Sequence, residues 1–149
     1  MSRLPHVNSF RDLIVYQKSR TLAGDIFVLT QGFPKEEMYS LTDQIRRSSR
    51  SVGAQIAEAW GKRQYEKHFV SKLTDADGEQ QETQHWIEIA FDCGYLSQDQ
   101  KMRLLKGYEE IGRLLGGMIA KATKFSNPQA ILRESDTQYF IKPQSPTKY

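Results

Sequence analysis

The stretch SQDQKMRLLKGYEEIGRLLGGMIAKA, residues 97–122, repeats Leu104, Tyr108, Ile111, Leu115, Met118 and Ala122 at alternating steps of four and three. Such spacing lines all of them along one stripe of a helix, whereas a half-buried strand needs strict alternation. Ser97 and Gln100 at its head match a capping box, each side chain reaching the other residue's backbone N–H. Immediately before it, Phe69, Leu73, Ala76, Gln80, Thr83, Ile87 and Ala90 repeat the same spacing. That pattern predicts a helix from about Gln64 to Cys93, with Gly94 in the left-handed position that ends it.

Further toward the N-terminus, Met38, Leu41, Ile45, Ser48, Val52, Gln55 and Ala59 form a third seam, predicting a helix from about Lys35 to Trp60. Glu36 and Glu37 fall in its first turn, where the positive end of the dipole favours them. A first helix is expected from about Ser9 to Gln31, with Val15, Leu22, Ile26 and Leu29 on one face and Leu13, Tyr16 and Phe27 widening it. Gly32-Phe33-Pro34 is its stop, and no proline interrupts residues 35–127. Four long helices joined by short turns predict an all-α, antiparallel up-down four-helix bundle. The expected organisation is an N-terminal extension over 1–8, the bundle over 9–124 and a short extended or disordered C-terminal tail over 125–149. The tail's apolar patch, Tyr139-Phe140-Ile141, is expected to dock on a neighbour if it is ordered.

Length supports one domain: 149 residues bury a substantial core and leave little chain for a second. A single cysteine excludes an internal disulfide and suits a reducing compartment. No apolar run is long enough for a membrane span or a signal peptide, so no membrane partner is expected and the chain reads as cytoplasmic. Twenty-one basic residues against eighteen acidic ones leave a net charge of only +3, but the charge is segregated. Residues 46–72 hold seven basic and two acidic side chains, while residues 73–99 hold seven acidic ones and no Lys or Arg. Antiparallel neighbours would set the basic segment at one end of helices two and three.

With Ile45 and Val52 in the seam, Arg46, Arg47 and Arg50 face outward, and Lys62 and Arg63 follow at the helix end. These five are the candidate nucleic-acid-binding residues, acting on phosphates. Gly53, Ala54 and Ala57 share the outer face and are small enough for another backbone to approach, which makes them the candidate oligomer interface. Two functions remain open on these residues: phosphate binding, or an interaction scaffold in which the arginines meet Asp75, Asp77 or Glu79 of a second subunit. Reversing charge at Arg46 and Arg47 separates them, since only a scaffold would dissociate.

Catalytic constellations are weak. Glu82-x-x-His85 has the spacing of a di-metal bundle, but no second such motif exists and both residues fall on the outside of helix three. Cys93 has no cysteine partner and reads as a packed helix-end thiol. Trp60, Trp86, Tyr65 and Phe91 read as core. No phosphate-cradling glycine loop, nucleophile elbow or zinc-protease motif is present. The expectation is a protein without catalytic residues, metal or cofactor.

From Phe10 to Leu115 the chain resembles the four-helix-bundle family named for open reading frames in intervening sequences of bacterial 23S rRNA genes. The matching blocks are residues 10–17 (FRDLIVYQ), Phe33-Pro34 with Glu37, Tyr39 and Leu41, residues 44–52 (QIRRSSRSV), and Ile56-Ala57-Glu58. Phe69, Leu73, Ala76, Gly78, Glu82 and Gly94-Tyr95-Leu96 continue the pattern. Two positions depart from it: Gln55 and Ala59 bracket Ile-Ala-Glu where the family reads Asn-Ile-Ala-Glu-Gly, and Glu79 replaces a small residue. The resemblance implies an up-down bundle, a homo-oligomeric ring of five subunits (a pentamer) with a positive surface, and, for accessory relatives, binding of nucleic acid (RNA or DNA) and of a reverse transcriptase.

Overall fold

The computed structural model describes residues 9–127 and 134–141; the expected extension 1–8 and tail residues 128–133 and 142–149 lie outside them. Four long helices follow one another: α1 (Ile14–Thr30), α2 (Leu41–Gly61), α3 (Glu66–Asp92) and α4 (Gln98–Ala120), then a short α5 (Ala122–Ser126). Short 3-10 turns occupy Phe10–Asp12, Lys35–Glu37 and Glu134–Tyr139. Among the described residues the only β pairing is an isolated bridge between Leu13 and Phe140.

Cross-links between helices give their directions. Thr30 meets Arg46 while Ser19 meets a position beside Gly53, so α1 and α2 run oppositely. Ser48 pairs with Thr83 and Glu58 with Lys72, which makes α2 and α3 antiparallel. Glu88 pairs with Lys101 while Gln80 lies against Gly112, and Lys18 pairs with Glu110 while Leu22 lies against Gly107, which fixes α3–α4 and α1–α4 the same way. This is the expected up-down bundle.

The two seams read first are buried throughout: Phe69 to Ala90 on α3 and Leu104 to Ala122 on α4 and α5. Of their polar members, Gln80 and Thr83 are hydrogen-bonded, while the Tyr108 hydroxyl is buried without a partner. The Ser48 and Thr83 hydroxyls pair at 2.9 Å, Gln80 Nε2 donates to Asp77 Oδ1 at 2.9 Å, and Gln84 Nε2 donates to Gln80 Oε1 at 2.7 Å. At the end of α3, Gly94 has φ +80°, with Tyr95 N–H bonded to the Ala90 carbonyl and Gly94 N–H to that of Phe91. That is a Schellman closure. The Ser97–Gln100 capping box forms in both directions, at 3.1 and 2.8 Å.

Two helices start later than their patterns predict. Ser9 caps only the 3-10 turn, accepting from Arg11 N–H, and Leu13 is extended, so α1 begins at Ile14. The extended backbone at Leu13 receives the C-terminal segment: Phe140 bridges to it and Ile141 N–H donates to the Asp12 carbonyl at 2.8 Å. In the next connection Ser40 Oγ donates to Glu37 Oε1 at 2.6 Å and its backbone leaves helical geometry, so α2 begins at Leu41. Met38 and Tyr39 are therefore exposed, Tyr39 by 92%, and Met38 is not part of the seam; Ile56 and Trp60 are.

For residues 134–141 the structure is more specific than a tail. Asp136 is fully buried and bonded to Lys121 Nζ at 2.9 Å, and Tyr139 and Phe140 are buried against the bundle's own end. Phe125 stands at the centre there, its ring 5.6–6.4 Å from those of Tyr139, Phe140, Phe69 and Trp60. On α4, a Cβ added at Gly117 would collide with the Tyr139 hydroxyl, while Gly116 beside it faces open space. Gly116→Ala is expected to stabilise by about 1 kcal/mol through helix propensity. Gly117→Ala is expected instead to lose about 1–3 kcal/mol because the strap must shift. Urea midpoints of the two variants moving in the same direction would refute the docking of Tyr139.

Candidate nucleic-acid interface

The five candidate cations do not form one patch. A helix rises about 1.5 Å per residue, so Arg46 lies roughly 24 Å along α2 from Lys62. The expectation of a single positive end is corrected accordingly: the basic stretch straddles the α2–α3 turn, and its arginine half lies alongside the acidic part of α3.

Arg46 and Arg50 are one turn apart and converge on α1. Their guanidinium carbons lie 4.9 and 5.5 Å from the centre of the Phe27 ring, and Arg46 Nε donates to Thr30 Oγ1 at 2.8 Å. Arg46 is thus half-buried, while Arg50 is exposed. Arg47 points the other way, toward α3, where its charge favours the ionised form of Glu79; burial and the nearby Glu82 nevertheless leave Glu79 above the usual carboxylate range. Lys62 is exposed at the end of α2. Arg63 stacks on Trp60 at 3.9 Å and is partly desolvated, which pulls its pKa down. Among the described residues none of the five has a carboxylate within 4.0 Å, although Lys18, Lys72, Lys101, Arg113, Lys121 and Lys124 all do.

The candidate interface residues divide. Gly53 faces α1, where a Cβ would sit 3.3 Å from Ser19 Oγ and 3.6 Å from the Tyr16 ring, so its close approach is spent within the chain. Ala54 is exposed and Ala57 half-buried. All three line an open groove of about 250 Å³ between α1 and α2, together with Phe10, Tyr16, Arg20, Ala23 and Arg50. Sequence reasoning missed the α1 wall of this groove. The available signal was Phe10, Tyr16, Arg20 and Ala23, a second stripe beside the seam of helix one that continues to Phe27 beyond the groove.

Other assignments change on packing. Cys93 is exposed, because it caps α3 after the last buried turn. Tyr65 is exposed in the α2–α3 connection, while Trp60 is core. His85 is on the outside as read, its ring tilted against that of Trp86, but Glu82 is half-buried, with one carboxylate oxygen shielded and unbonded. Among the described residues no group of three His, Cys, Asp or Glu side chains is placed to hold a metal. Gln55, one of the two departures from the expected pattern, has its side-chain oxygen buried without a donor.

The family model described as 23S rRNA-intervening sequence protein matches residues 11–117. The fold is similar to a crystal structure of a protein with unknown function from the S23 ribosomal protein family, from Bacteroides thetaiotaomicron. Identity is 31%, the TM-score is 0.65, and the match covers 71% of this chain and 98% of that one. No curated protein matches. Among the described residues no helix is long and apolar enough to cross a membrane.

Proposed function

This chain belongs to the 23S rRNA-intervening sequence protein family, and from that premise we propose that it is a non-enzymatic, homo-oligomeric bundle, working in the cytoplasm, that binds RNA or DNA. Arg46, Arg47, Arg50, Lys62 and Arg63 contact phosphates. The observation that carries the reading is the absence of any carboxylate within ion-pair distance of these five cations among the described residues, in a bundle that pairs Lys18, Lys72, Lys101, Lys121 and Lys124. A protein whose surface arginines lack a carboxylate partner gains from neutralising a polyanion and releasing its counterions. Protein partners, a reverse transcriptase among them, and a ring of five are part of the same proposal.

A gel-shift with a nucleic-acid strand of about 30 nucleotides at ~50 mM salt tests it, since salt weakens phosphate contacts. Retention that fades steeply as salt rises is the expected result; no retention at low salt removes the binding function. Light scattering gives the subunit number. A scaffold without direct nucleic-acid binding is the second reading, favoured by Arg47, whose charge already acts on Glu79 of α3. In that case a second subunit's acidic α3 would occupy the arginines.

A further inference from the structure

The α1–α2 face carries rings as well as cations. Phe10 and Tyr16 meet edge to face at 4.8 Å and line the groove beside Arg20 and Arg50. Arg11 lies over Phe10 at 4.5 Å, and Arg46 and Arg50 lie over Phe27, which stays 39% exposed. Guanidinium groups and rings thus alternate along α1, with Tyr16 and Phe27 about 17 Å apart by helical rise. The floor is kept shallow by Gly53, Ala54, Ala57 and Ala23.

The electrostatics of the groove lining are positive, from Arg20 and Arg50. None of Arg11, Arg20, Arg46 and Arg50 has a carboxylate within 4.0 Å among the described residues. Asp25, on the same helix, is exposed, and its field falls on the buried Tyr108 of α4. Asp43 is exposed at the start of α2, beyond ion-pair distance of Arg46.

Resting on the nucleic-acid reading above, we infer that the α1–α2 face, the groove together with the Phe27 ring that adjoins it through Arg50, is a stacking channel for single-stranded nucleic acid. Phe27 and Tyr16 are the base platforms, and Arg20, Arg46 and Arg50 run along the phosphates. A strand with free bases uses both halves of this surface, ring faces and cations. A duplex keeps its bases stacked inside and offers only phosphates, and an acidic peptide offers only carboxylates. The exposed part of the Phe27 ring, with Arg46 and Arg50 against it, suits the first of these.

Fluorescence anisotropy tests this with three probes at low salt: labelled oligothymidylate of about 30 nucleotides, the corresponding duplex, and polyglutamate. The wild-type protein is expected to bind the single strand about tenfold more tightly than the duplex. Phe27→Leu, which keeps bulk and removes the ring, is expected to lose about five- to tenfold on the single strand and to leave duplex binding unchanged. Equal affinity for strand and duplex overturns the channel and leaves phosphate binding standing; no binding to either overturns both. Polyglutamate binding as tightly as the strand overturns it in favour of an acidic protein partner. Photocrosslinking of an iodouridine strand to the wild-type protein gives an answer independent of any variant's folding. Crosslinks in residues 10–31 or 41–61 support the channel, and crosslinks confined to α3 and α4 overturn it.

Discussion

Replacing Phe125 by alanine is expected to destabilise the protein by about 3–5 kcal/mol, the cost of emptying an aromatic site in a core. At this chain length that corresponds to roughly 6–20 °C in Tm. Phe125 is buried at the meeting point of four other rings, two from the bundle and two from the C-terminal segment. Neither side can collapse into the void without moving the other. Thermal unfolding followed by helical circular dichroism gives the magnitude. Tryptophan emission gives the place, because Trp60 borders the void and a red shift is expected there. Ile141→Ala, at a 41% exposed position of the same segment, is the control and is expected to change stability by no more than about 0.5 kcal/mol. A Phe125→Ala loss below that of a surface substitution would mean that the segment does not pack on the bundle.

The Arg47→Glu/Arg50→Glu double variant is expected to weaken nucleic-acid binding by about 100-fold at low salt and to lower the slope of log affinity against log salt by about two, close to one per lost phosphate contact. Both positions are exposed, so the bundle should keep its stability. Arg46 is a poorer choice than sequence alone suggests, since its Nε bonds Thr30 and its reversal would disturb α1 as well. Affinity measured by anisotropy across a salt series, with oligomer size followed on a sizing column, separates the two functional readings. Loss of affinity with an intact oligomer supports the binder. Dissociation, or affinity unchanged within twofold, refutes it.

The bundle was legible in the sequence because α3 and α4 are amphipathic at a single period, and every seam residue on them is buried. Capping chemistry was legible for the same local reason: Ser97, Gln100 and Gly94 need only their own turn to act. Where the reading slipped, a distant contact or a competing local turn decided. Leu13 is extended because Phe140, far along the chain, pairs with it. Met38 leaves the seam because Ser40 and Glu37 close a turn of their own. The candidate cations were each found as outward residues, yet whether they form one patch depends on distance along a helix and on which neighbour each one faces. Arg46 and Arg50 turn to Phe27, Arg47 to Glu79, and Arg63 to Trp60.

Periodicity by itself determined that this chain makes four rods, that their apolar stripes meet, and that arginines stay outside, since each of these follows from which residues avoid water at a 3.6-residue repeat. Only the tertiary structure decided that Tyr16, Arg20 and Arg50 share one groove with Arg50 also reaching Phe27, and that the segment around Phe140 closes the bundle's end. Those contacts join residues far apart in the chain, and no local pattern records the side on which one helix lays itself against another.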